Sequence, residues 1–141
     1  MSISPQSENL HSHLVASLTD LERGSLALAG GKGANLGELM KAGFHVPPGF
    51  VITTSAYDLL LQTTGLRAII QEMLASLQLD NPASVNEASR RIRDAIQHAS
   101  IPNRIVDSTL QAYRQLGNGA VAVRSSATAE DLSEAAFAGQ Q

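Results

Sequence analysis

Two short runs, far apart in the chain, hold the residues best suited to chemistry. Gly30-Gly31-Lys32-Gly33 sets one ammonium among three glycines. Glycines leave a backbone free to curl around an oxyanion, and the lysine supplies charge. The four-residue spacer and the Ser or Thr after the lysine, which define a Walker A loop, are missing. A flexible turn with a solvated lysine fits that spacing equally well. The second run is Ala120-Val121-Ala122-Val123-Arg124-Ser125-Ser126, in which an apolar stretch ends in a guanidinium beside two hydroxyls. A guanidinium fixed at a strand end suits forked hydrogen bonding to a phosphate, although a lone strand-end arginine more often points into water.

Other polar residues carry less. Glu130, Asp131 and Glu134 resemble a metal-binding set, but carboxylates in a first helical turn more often complement the helix dipole. His11, His13, His45 and His98 lack an acidic or nucleophilic companion at a meaningful spacing, so no catalytic role is assigned to them. The glycine-flanked elbow of a serine hydrolase is absent around Ser125-Ser126, which leaves those hydroxyls to bond backbone or phosphate. The chain has no cysteine, which removes disulfides, thiolate zinc sites and cysteine nucleophiles.

The elements that position these residues follow from periodicity. Residues 1–12 are polar and are expected to be loose, and Leu14, Val15, Ala16 and Leu18 form a short strand before a turn at Thr19-Asp20. The glycine run then acts as a loop entering a short helix, with Leu36, Leu39 and Met40 at helical spacing and Gly43 at its C-terminal cap. The stretch "GFVITT" supplies a β-branched strand, and Ser55 opens a helix that Gly65 ends. Three further helices carry Leu66 to Leu77, Val85 to Ala99 and Ile105 to Leu116 inward as core, with Asn81-Pro82 breaking the pattern between the first two and Pro102 at a favoured first-turn position of the third. Gly117-Asn118-Gly119 turns the chain into the strand "AVAVR", after which Thr128 and Asp131 stand three apart as in a capping box. Two or three strands with four or five helices make an α+β chain.

Composition excludes several partners. The 141 residues suit one domain with a core, the formal net charge is -3, and charged residues make up only 16%. No basic footprint marks a nucleic-acid or anionic-membrane surface, and no apolar run reaches the length of a membrane helix. The N-terminal "MSISPQSENLHSHLVASL" has neither the basic nor the long apolar region of a signal peptide, so a cytoplasmic location is expected.

Together, "GGKGANLGELMKAGFHVPPGFVITTSAY" and "VAVRSSATAEDLSEAAFAGQQ" resemble the two signature segments of the N-terminal nucleotide-binding domain of phosphoenolpyruvate synthases and their relatives. The likeness is close over residues 30–57 and 119–141. It implies that residues 1–141 form the N-terminal part of an ATP-grasp domain, helix-rich with few strands. It further implies that ATP is the substrate, with Mg2+ held by residues outside this chain, and that phosphoryl transfer goes to a histidine on a separate domain. That domain would serve an acceptor domain using pyruvate. By the same resemblance Lys32 touches the nucleotide phosphates, Arg124 binds and braces the transferred group as a catalytic residue, and Gly139 opens a glycine-rich loop over them. The chain would then stop inside that loop, as a fragment inactive alone. The wording "RSSATAED" resembles synthases and rifampin phosphotransferases more than pyruvate phosphate dikinases. Ser133 and Ala136 depart from many relatives, which have proline and serine there. A rifampin phosphotransferase and a stand-alone, non-catalytic nucleotide- or partner-binding module are the alternatives.

Overall fold

The computed structural model describes residues 13–128. They fall into two units, one with the described residues up to Ala56 and from Arg104 onward, the other spanning Tyr57–Asn103. The composition is α+β, rich in helix with one small sheet.

In the first unit β1 (Val15–Ser17) pairs antiparallel with β2 (Phe50–Ile52), Ala16 facing Val51. Both strands were legible as β-branched or apolar runs. Two 3-10 turns, Leu18–Asp20 and Arg23–Ser25, follow β1 and lead into α1 (Leu26–Lys41). The core gathers Ala16, Leu18, Leu21, Leu28 and Ala29, with Leu36, Met40, Val46 and Val51 packed against it. Thr53 is buried, and its hydroxyl donates to the His13 carbonyl oxygen (2.7 Å). At the far end of α1, Gly43 N–H donates to Met40 oxygen and Phe44 N–H to Leu39 oxygen. With Gly43 at φ 83°, this is the Schellman ending expected from its position.

α1 differs from the expected loop and short helix. It starts at Leu26, ahead of the glycine run, and is interrupted at Gly30, where φ is 71° and ψ is 173°. Beyond Leu28, its buried residues are small, among them Ala29, Gly33, Ala34 and Gly37, which lets the helix lie close to its neighbours. A Cβ at Gly37 would stand 2.5 Å from the Leu21 carbonyl oxygen, and one at Gly33 would stand 3.1 Å from Val51 Cγ2.

α2 (Thr54–Thr63) begins at the end of the first unit and continues into the second, where Gly65 at φ 73° separates it from α3 (Leu66–Ala75). In α4 (Pro82–Gln97), Pro82 occupies the first turn and Asn81 Oδ1 accepts from Ala83 and Ser84 N–H (3.0 and 3.3 Å). α3 and α4 pack on one another. α5 (Asn103–Gln115) returns to the first unit and buries Ile105, with Pro102 just before it rather than in its first turn.

The apolar stripes of these last helices are not the expected core. Only Leu66 and Ile105 among them are buried, and Leu74 is 55% exposed. An amphipathic stripe specifies a face that can be covered, whereas burial needs a neighbour of matching area. The expected strand "AVAVR" has no regular secondary structure and pairs with no strand among the described residues, with Val123 91% exposed. A strand is defined by the ladder it shares, and apolar alternation alone cannot supply the second half. Gly117 and Asn118, both at positive φ, do form the expected turn.

Candidate functional site

The interruption at Gly30 is where the two chemistry-bearing runs meet. An uninterrupted helix would bond Gly33 N–H to the carbonyl oxygen of Ala29, four residues back. Here the Ser126 hydroxyl stands between them, accepting from Gly33 N–H (3.2 Å) and donating to Ala29 oxygen (2.7 Å). Gly31 N–H donates to the Ala127 carbonyl oxygen (3.1 Å). The Ala27 carbonyl oxygen, which a regular turn would offer to Gly31, accepts instead from the Thr54 hydroxyl (2.9 Å). The backbone groups freed by the kink are thus taken up by two outside segments.

Glycine is required at position 30 on two counts. Its φ lies in the region that L side chains rarely adopt. A Cβ there would also stand 2.5 Å from Ser126 Oγ and 2.8 Å from the Ser126 carbonyl oxygen. The glycine run therefore admits close approach of the second run. Its Gly31 and Gly33 N–H groups are committed to Ala127 and Ser126, so they do not form the open oxyanion cradle that the glycines alone implied.

Lys32 and Arg124 are placed by this contact. Lys32 sits between the two anchored glycines with an exposed side chain, and Arg124 is an exposed residue two positions before Ser126. Two residues of extended chain span at most about 7 Å, so both cations spring from backbone close to one junction. Two positive side chains on segments joined by the Ser126 and Ala127 hydrogen bonds can meet one polyanion. Ser126 bonds backbone, one of the two partners expected for it. Gly139, Glu130, Asp131 and Glu134, and the Thr128–Asp131 capping box, fall on or reach into residues outside those described, as do residues 1–12. Among the described residues no group of three or more His, Cys, Asp or Glu side chains could hold a metal ion. Nor is any helix among them long and apolar enough to cross a membrane.

Sequence reasoning missed the part played by Gly33 and Gly37. Their spacing of four places both on one helix face, which is a readable signal for close helix packing. Beside Lys32, Gly33 fits a phosphate-binding run equally well, which masks that signal in the sequence.

Comparison with known proteins agrees with the two runs. A family model described as pyruvate phosphate dikinase, AMP/ATP-binding domain, matches residues 26–141. The chain is similar to a probable phosphoenolpyruvate synthase of Methanothermobacter thermautotrophicus, with 44% identity over 133 residues, covering 90% of this chain and 19% of that protein. A phosphoenolpyruvate synthase of Aeropyrum pernix is 42% identical over 135 residues, covering 91% of this chain and 16% of its own. A rifampicin phosphotransferase of Bacillus subtilis is 42% identical over 132 residues, covering 92% of this chain and 15% of its own. The chain spans between 11% and 20% of the length of the curated relatives it matches.

Proposed function

The chain belongs to the family of the pyruvate phosphate dikinase AMP/ATP-binding domain, and from that premise we propose that it is the ATP-binding N-terminal part of a phosphoenolpyruvate synthase-type phosphotransferase. Residues 1–141 form part of an ATP-grasp domain. The whole reaction converts ATP, pyruvate and water to AMP, phosphoenolpyruvate and phosphate, through a phosphohistidine on another domain of a longer cytoplasmic chain. The observation that carries this reading is the junction at Gly30, which sets exposed Lys32 and Arg124 on neighbouring anchored backbone.

In this site Lys32 binds the nucleotide phosphates as a point charge. Arg124 contacts the transferred group with forked donors and opposes the charge that builds up on it in the transition state. Little covalent help is needed for phosphoryl transfer, so positioning and charge neutralisation are the main contributions of these residues. Gly139 begins the loop that covers the phosphates. Mg2+ would add charge neutralisation at the phosphates, with its ligands expected outside this chain.

The relatives include both phosphoenolpyruvate synthases and a rifampicin phosphotransferase at nearly equal identity, 44% and 42% against 42%, so the acceptor, pyruvate or a rifamycin, is decided by assay. The natural full-length protein, given ATP and pyruvate, is expected to release AMP and phosphoenolpyruvate. Phosphorylation of rifampicin without phosphoenolpyruvate formation would move the assignment to the antibiotic. ATP binding with neither product would leave a non-catalytic module.

A further inference from the structure

The Ser126 hydroxyl occupies an unusual place, inside a helical hydrogen-bond step of another segment. Ala29 and Gly33 are the pair that a regular α1 would join directly, and both are buried. With Gly30 at φ 71° the helix is not regular there, and one hydroxyl, which carries a donor and two acceptor lone pairs, bonds both groups. Side-chain insertion into the ladder is a recognised cause of helix kinks. The second anchor, Gly31 N–H on the Ala127 carbonyl oxygen, lies on the other side of Lys32. The Lys32 backbone is thereby clamped before and after by consecutive residues of the segment that carries Arg124.

We propose that Ser126 is a positioning residue for this site: its hydroxyl, inserted between the Ala29 carbonyl and Gly33 N–H, fixes Lys32 relative to the Arg124 segment. The proposal rests on the reading of Lys32 and Arg124 as phosphate ligands. Ser126 itself touches no phosphate in this scheme and acts through Lys32. Removing the hydroxyl leaves a buried carbonyl and a buried N–H without that partner, and the turn holding Lys32 relaxes away from the second run.

The test is a double-mutant cycle on Mg-ATP affinity in the natural full-length protein, read by calorimetry, with circular dichroism to establish folding. Lys32→Ala is expected to weaken binding about tenfold in the parent, but less than about twofold in a Ser126→Ala background, because residues acting together are not additive. An Asn81→Ala background, which loses a helix cap remote in sequence from the site, should retain the full tenfold effect; this separates positioning from general loss of stability. Ser126→Cys, close in size but a weak hydrogen-bonding group, should behave as Ser126→Ala and serves in its place if the alanine variant does not fold. An undiminished Lys32→Ala effect in the Ser126 variants would overturn the positioning role while leaving Lys32 as a ligand. No effect of Lys32→Ala in the parent would instead remove Lys32 as a phosphate ligand, and the proposal with it.

Discussion

At Gly37 a single methyl group would meet backbone that cannot move aside. The added Cβ would lie 2.5 Å from the Leu21 carbonyl oxygen and 2.7 Å from its carbon, and Leu21 is fully buried. Gly37→Ala is therefore expected to destabilise the fold by about 1–3 kcal/mol in urea unfolding, the usual cost of overpacking. A midpoint equal to the parent's would show that α1 can shift outward at no cost. The same residue scale shows what could be read from sequence and what could not. Lys32 and Arg124 stand out in the sequence because charged residues beside glycines and hydroxyls are chemically distinctive, and their role as phosphate ligands is a proposal. The work of Gly30 and Gly33 was not, since a glycine that admits a neighbour and one that cradles an anion look alike until the neighbour is known. Ser126, 93 residues from Gly33 in sequence, is that neighbour.

At the scale of elements, α4 is the clearest case of local specification. Asn81 and Pro82 mark the boundary before it, and Asn81 caps its first turn. On its surface Arg90 bridges Glu87 (2.8 Å) and Asp94 (2.9 Å). The Arg90 hydrogen bond holds the Glu87 carboxyl below its ordinary range, and Glu87 in turn raises the Arg90 guanidinium. A depressed carboxyl contributes stability above its unfolded value and loses it as the pH falls through its folded value. Glu87 should thus titrate below an unpaired glutamate by NMR, and Arg90→Gln should return it toward the ordinary value; no movement in that variant would contradict the bridge. Elements defined by a partner were less legible. The run 120–124 is apolar and rich in valine, yet no ladder forms among the described residues, because pairing depends on a second segment.

At the scale of the molecule, the core is small and lies where β1, the 3-10 turns and α1 converge, while the longer helical stripes stay half covered. Sequence periodicity identified those stripes correctly as apolar faces and overstated their burial, since periodicity carries no measure of what packs against them. Val123 illustrates the consequence: at 91% exposure, Val123→Thr should change the unfolding free energy of this chain by less than about 0.5 kcal/mol, as for other surface substitutions. A larger loss in the chain of residues 1–141 would mean that Val123 is covered there. The central proposal is that Lys32 and Arg124, carried by two segments that meet at the Gly30 junction, hold the phosphates of ATP. Its most direct test is transfer of radiolabel from ATP to the natural full-length protein, with Lys32→Ala and Arg124→Ala beside the parent. Each substitution is expected to slow phosphohistidine labelling by about 100-fold or more, the range found when one preorganised charge-stabilising donor is removed. Undiminished labelling in both variants would contradict a phosphate site at these two residues.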